Sequence, residues 1–285
     1  MSESRKNGNI MLVAAFGIGA LLTIAPFIWV FSSSFRPFAE ATSLPPKWLP
    51  PLHLDFKNYR ALFAETVPFV HFFGNSFKVA SLVTAGILVN SALAGYAFAR
   101  LKFPGRNALF YAMLSSLMIP VQVIIVPLFL IMRSFDLVNT HGAIILPGLL
   151  GAFAPGIPGI FGIFMLRQFF MTLPKELEEA AKIDGAGYWK TFRAVIVPTA
   201  KPTLSALGII VFSMCWNDYF FPFIFINSIE KMLLPVGILA IRQPFGTGDP
   251  IELAAVTLSI LPVLAVFIAG QKWIVESFVQ TGIKG

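Results

Sequence analysis

The sequence predicts an all-α, polytopic membrane protein with six transmembrane helices. Three observations carry that prediction. Hydrophobic residues fill 56% of the 285 positions and charged residues only 12%, about half the charged share of a soluble domain. Six separate apolar stretches each offer the roughly 20 residues that a helix needs to cross the hydrocarbon core. The net charge of +7 comes from basic residues that flank these stretches and form no dense patch, so it reads as topology and not as a nucleic-acid surface.

The first stretch is Ile10 to Phe31. Arg5 and Lys6 precede it, as in a signal peptide, but the apolar run is too long and no small-residue cleavage site follows. It is expected to stay as an uncleaved first helix. The second runs from Phe72 to Phe98 and the third from Ala108 to Met132, with Pro120 and Pro127 inside it. The fourth, Ala143 to Leu166, contains Pro147, Pro155, Gly156 and Pro158. Such interruptions survive in a bilayer where neighbouring helices or a wet cavity satisfy the freed carbonyls. Kinking for packing and lining of a pathway are both open for the fourth stretch; packing is favoured for the third. The fifth is Leu204 to Ile226 and the sixth Leu253 to Trp273.

Orientation follows from lysine and arginine. With the N-terminus inside, residues 1–9, 99–107, 167–203 and 274–285 face the cytoplasm and, with Lys272 at the inner end of the last span, hold thirteen of the 21 basic residues. The domain layout is then a cytoplasmic N-terminus (1–9), a six-span domain (10–273) and a cytoplasmic tail (274–285). The outer loop 36–71 carries Pro45, Pro46, Pro50 and Pro51 around Trp48. Prolines at that density fix extended or turn geometry without a core. The loop suits docking of a partner or passive capping of helix ends.

The single cysteine, Cys215, permits no intrachain disulfide, and His53, His71 and His141 are too scattered to form a metal site. No catalytic set is visible. There is also no G-x-x-x-x-G-K-[ST] run, so no nucleotide is bound by a P-loop in this chain.

The loop 167–203 is the most informative segment. Pro174 suits a first helical position, Glu176, Glu178 and Glu179 favour a helix N-terminus, and Gly185 suits a left-handed stop. Glu178 and Lys182 stand at i,i+4, the better orientation for an ion pair. A second helix is expected from Tyr188, stopped by Pro198. A helix as short as the first is marginal alone in water. Ala180 and Ala181 leave it without bulk, so a partner's groove could hold it, with Asp184 and the glutamates at the rim. An amphipathic helix lying on the bilayer surface is the competing reading.

In this loop the run Glu179-Ala180-Ala181, three residues, Gly185, nine residues and Val195-Ile196-Val197-Pro198 resembles the EAA loop of binding-protein-dependent ABC importer permeases. Valine replaces the usual Ile and Leu of the closing Ile-x-Leu-Pro. Asp184-Gly185-Ala186-Gly187, the loop Tyr96 to Gly105 and Trp216-Asn217-Asp218 are similar to the carbohydrate branch, close to the maltose-type permease. The C-terminal tail resembles that branch too, with Lys272-Trp273 and Ser277-Phe278-Val279 altered from its usual elements. The resemblance implies a type I ABC importer permease fold in a bacterial inner membrane. It implies a second homologous permease, two ATPases that bind ATP and Mg, and an extracytoplasmic solute-binding protein. Glu179, Ala180, Ala181, Asp184 and Gly185 would then couple to the ATPase, and the solute would be a sugar or sugar-like. An ion-coupled secondary transporter is the alternative, with Asp218 as the clear acid within a span.

Polar residues inside spans are costly and often functional. Trp216, Asn217, Asp218 and Tyr219 offer hydrogen bonds and ring faces to a sugar. Gln122 and Asn90 are lesser candidates of the same kind. Interhelical hydrogen bonding that holds the bundle together is the other reading of all six.

Overall fold

The structure is a computed structural model that describes residues 2–64, 68–150, 159–245 and 249–282. Among the described residues all regular structure is helical. The chain forms two compact units, Met1–Val70 with Gly237–Leu261 and His71–Val236 with Pro262–Gly285.

In the first unit, α1 (Ser2–Ser33) has an apolar stretch, Met11–Ser33, in which no residue from Met11 to Phe31 is buried. Apolar side chains cover it on all sides, as a lipid-facing helix requires. The chain then turns at Arg36, which is buried. Its guanidinium donates to Ser32 Oγ at 3.2 Å and to the Leu49 carbonyl. Asn58 Nδ2 donates to the carbonyls of Ser34 at 2.8 Å and Arg36 at 2.9 Å. Phe35 packs its ring on Phe31, Phe56 and Tyr59. These contacts hold the proline-rich segment after α1, which carries the short helices α2 (Phe38–Ala41) and α3 (Lys57–Leu62).

The second unit is built on α4 (Phe69–Arg100), one unbroken helix of 32 residues with no proline. Helices α5 (Arg106–Ser115) and α6 (Val121–Ser134) follow, bent by 102° at a break before Pro120 and Val121. The expected third span is therefore two helices at a steep angle, and Pro120 ends the first of them by removing a donor. Next come α7 (Gly142–Leu149) and α8 (Gly159–Thr172). Pro147 lies within α7; Pro155, Gly156 and Pro158 lie outside the described residues.

The remaining helices are α9 (Glu176–Ile183), α10 (Tyr188–Thr191), α11 (Val197–Thr199), α12 (Lys201–Trp216), α13 (Phe220–Phe225), α14 (Leu234–Phe245) and α15 (Pro250–Gly282). A π-helical turn, Phe192–Ile196, joins α10 to α11. Pro198 therefore does not stop the second loop helix, which runs on to Thr199. A π turn replaces the i→i−4 ladder just where proline has no N–H to give. The fifth span breaks at Asn217 to Tyr219, between α12 and α13. The helix of the sixth span continues to Gly282, through most of the expected tail.

Close backbone approach sets the core. At Gly95 a Cβ would stand 3.0 Å from Leu166 Cβ and 3.1 Å from the Arg167 nitrogen, so α4 and α8 touch almost main chain to main chain. Small residues serve membrane helix contacts in this way. Val79, Val83, Ile87, Leu166, Phe170, Ile196 and Leu207 fill the centre of the unit. At the end of α4 away from Arg100, Ser76 Oγ accepts from the Leu234 nitrogen at 2.7 Å. Asn75 donates to the carbonyls of Glu230 and Met232 at 2.9 and 3.1 Å. His141 bonds the Lys231 carbonyl at 2.9 Å. Burial lowers the pKa of its imidazole; the Lys231 bond opposes that, and the charges of Lys78 and Lys231 add to it.

Candidate functional site

Two places collect the residues singled out by sequence. The first is the loop helix α9. Three acidic residues, Glu176, Glu178 and Glu179, occupy its first turn, where the helix dipole favours them. Pro174 stands two residues ahead of the first helical residue, Glu176. At the other end Gly185 adopts φ +74°. Its nitrogen donates to the Lys182 carbonyl at 3.0 Å, and that of Ala186 reaches the Ala181 carbonyl at 2.9 Å. These two bonds make a Schellman cap, which favours glycine at the left-handed position.

The ion pair expected between Glu178 and Lys182 is not formed. Glu178 turns inward to Arg100, with Oε1 and Nε 3.1 Å apart and only 14% and 8% of the two side chains exposed. Arg100 also donates from Nη2 to the Leu173 carbonyl at 2.6 Å. A buried partner outbids a surface pair, which is worth little in water. Lys182 lies 5.6 Å from the Tyr188 ring centroid instead. Ala181 is also buried, packed toward its own chain, while Glu179, Ala180, Asp184 and Gly185 are exposed. Beside them Ile183 is 86% exposed, and Tyr188 and Trp189 about two-thirds exposed. These three were missed from sequence; their signal is apolar bulk on an otherwise polar loop. Behind the knob, Tyr96 of α4 packs against Phe170 of α8 and Phe192 of the π turn, at 6.1 and 5.1 Å.

The second place is a cavity of about 130 Å³ within the second unit. Val79 and Val83 of α4, Pro147 and Gly148 of α7, Met214 and Cys215 of α12, and Phe221 of α13 line it, with Asp218. The Asp218 carboxylate accepts from the Phe220 and Phe221 nitrogens at 3.0 and 3.4 Å, which starts α13 after the break. The other candidates do not converge on it. Trp216 is buried, stacked on Phe212 at 5.8 Å and edge-on to Phe73 at 5.3 Å. Asn217 donates to the Ser213 carbonyl at 2.8 Å, and Tyr219 stacks on Phe223 at 5.2 Å. Asn90 donates to the Leu149 carbonyl, and Ser91 Oγ to that of Gly159 at 3.3 Å. These two thus satisfy carbonyls on both sides of the interrupted fourth span, a packing role. Gln122 is exposed on α6. Among the described residues, no group of acidic, histidine or cysteine side chains could hold a metal.

Residues 86–279, which include α4 from Gly86 to Arg100, the whole of the α9 loop and the cavity segment of α12, match the family described as binding-protein-dependent transport system inner membrane component. The chain belongs to this family. It is similar to the arabinooligosaccharides transport system permease protein of Halalkalibacterium halodurans, with 31% identity over 96% of each chain. It shares 34% identity with the diacetylchitobiose uptake system permease protein of Streptomyces coelicolor, over 92% of this chain and 84% of the relative. The sn-glycerol-3-phosphate transport system permease protein of Yersinia enterocolitica is 31% identical over 99% of each. A chain in the crystal structure of a bacterial ABC transporter involved in the import of alginate, an acidic polysaccharide, superposes with a TM-score of 0.78. That match covers 95% of this chain and 98% of that one at 24% identity, and it carries the type I permease fold.

This binding-protein-dependent permease is thus the membrane-spanning subunit of an ABC importer and not an enzyme. It works in the inner membrane with an ATPase and a solute-binding protein. Family membership gives the ion-coupled alternative no support.

Proposed function

We propose that this permease carries a sugar or sugar-like solute inward, and that α9 is the helix through which ATP hydrolysis drives it. The assembly we envisage has a second homologous permease, two ATPase subunits that bind ATP and Mg, and an extracytoplasmic solute-binding protein. Residues 10–273 span the membrane, and the two termini and loop 167–203 lie in the cytoplasm. Relatives named for oligosaccharide uptake and for sn-glycerol-3-phosphate support the solute class.

The observation that carries the coupling role is the exposed knob. A short helix stiffened by a glycine cap offers Glu179, Ala180, Asp184 and Ile183 to the outside, with Tyr188 and Trp189 beside them. Apolar bulk ringed by charge is how a docking surface is built. Of the intramembrane candidates, Asp218 on the cavity wall is our choice for the solute path. Trp216 and Asn90 belong to the packing.

Glu179 is exposed and makes no ion pair among the described residues, so its charge is free for a basic group on the ATPase. Glu179→Lys reverses that charge without touching the core. Solute uptake by the reconstituted importer is expected to fall at least about tenfold, as for loss of one interfacial charge pair. The permease itself stays in the membrane at its normal level. Wild-type uptake by this variant overturns the coupling role.

A further inference from the structure

We infer that the buried Arg100–Glu178 pair is the link that carries movement of α9 to the transport cavity. The inference rests on α9 being the coupling helix and names the residues that make it act on the membrane domain.

Three observations lead to it. Arg100 is the last residue of α4, and it holds the loop at two points, the Glu178 carboxylate at 3.1 Å and the Leu173 carbonyl at 2.6 Å. A guanidinium is suited to this, because one cation reaches both points at once: Nε meets the carboxylate as an ion pair, outside hydrogen-bond geometry, while Nη2 donates to the carbonyl. The two held points flank the start of α9, so the helix cannot tilt or slide without pulling on Arg100. The pair is also nearly closed to solvent, which keeps water from competing for the charges.

The second observation is the rod behind the clamp. From Val79 to Arg100, α4 runs roughly 30 Å at ~1.5 Å per residue without a proline or a break. Val79 and Val83 sit on the cavity wall at its far part. Third, α4 is locked to its neighbours by close approach: α8 against Gly95 and the Val83 side chain against Gly148 of α7. Packed interfaces of this kind move as bodies and do not absorb strain by bending. A displacement of α9 therefore reaches Val79 and Val83 and alters the cavity, along a path separate from the covalent route through α8. Arg100 and Glu178 are positioning residues: neither faces the ATPase or the cavity.

The chain's only cysteine provides the readout, because Cys215 lies on the same cavity wall. The full importer, reconstituted with its ATPase, is treated with N-ethylmaleimide without nucleotide and with a non-hydrolysable ATP analogue. Mass spectrometry of this chain gives the rate of Cys215 modification. In the wild type the two rates differ severalfold. In Glu178→Gln and Arg100→Gln they converge, uptake falls at least tenfold, and the ATPase still copurifies. The reversed pair, Arg100→Glu with Glu178→Arg, regains at least half of the uptake and of the rate difference.

The inference is overturned if either single variant keeps the wild-type rate difference and uptake. It is overturned equally if the reversed pair is no better than the single variants, or if they lose the ATPase, which would make the pair a folding brace. A wild-type cavity whose labelling ignores nucleotide also overturns it. Glu179→Lys, run in parallel, separates the two levels. If that variant transports normally, the coupling role itself has failed. If only the Glu178 and Arg100 variants transport normally, the clamp alone has failed.

Discussion

Ile183→Asp is expected to strip the ATPase from the purified importer while leaving the permease folded. Ile183 is 86% exposed on α9 and contributes almost nothing to the core of its own chain. If it fills a cleft in the ATPase, burying it is worth about 1.5–3 kcal/mol, and an aspartate there adds an unpaired charge to desolvate. A combined loss of about 3 kcal/mol weakens the ATPase contact roughly a hundredfold. Apolar anchors near the centre of an interface dominate its energy in this way. Titration of the ATPase onto detergent-solubilised permease measures the effect, and Ile183→Val serves as the control, expected within about fourfold of wild type. Unchanged affinity in Ile183→Asp means that the knob meets no ATPase.

The second large effect lies in the bundle. A Cβ at Gly162 of α8 would collide with Ser91 Oγ of α4 and stand 3.0 Å from Leu207 Cδ2 of α12. Three helices meet where one glycine leaves room, and each side chain that could yield is itself buried. Gly162→Ala overpacks this junction at a cost of about 1–3 kcal/mol, a fall in Tm of roughly 3–10 °C for a chain of this size. Gly162→Leu exceeds what the junction can absorb, and no monodisperse protein is expected. Gly74, on the exposed side of α4, has nothing within 4 Å of its Cβ position. Gly74→Ala is expected to leave Tm unchanged or raise it, because alanine favours the helix. Size-exclusion chromatography reads Gly162→Leu, and thermal unfolding followed by tryptophan fluorescence separates the two solubilised alanine variants. Equal behaviour of Gly162→Ala and Gly74→Ala contradicts the packing described.

What the sequence makes legible is what local chemistry decides. The acidic first turn and the Gly185 cap of α9 follow from helix ends, whose needs are met within a few residues. The apolar stretches follow from bilayer thickness. Long-range partners are where the local reading fails. Glu178 leaves Lys182 because Arg100, far away in the chain, offers a buried partner. Pro198 does not end its helix because a π turn, packed through Phe192 onto Tyr96, absorbs the missing bond. Trp216 has the chemistry of a sugar platform, but it is buried, with Phe212 stacked on one face and Phe73 in a T-shaped contact. Nothing in its neighbourhood along the chain distinguishes the two roles. Asn90 bonds the end of α7, and only the fold brings that carbonyl beside it.

Everything in the coupling account requires α9 to stand in the cytoplasm and to be covered by the ATPase. The direct test places one cysteine at its tip, Ile183→Cys in a Cys215→Ser background. A membrane-impermeant maleimide is then applied to intact spheroplasts and to inverted vesicles, with and without bound ATPase. The account predicts labelling only in inverted vesicles, and protection there when the ATPase is bound. Labelling in intact spheroplasts, or labelling of inverted vesicles that is indifferent to the ATPase, contradicts it.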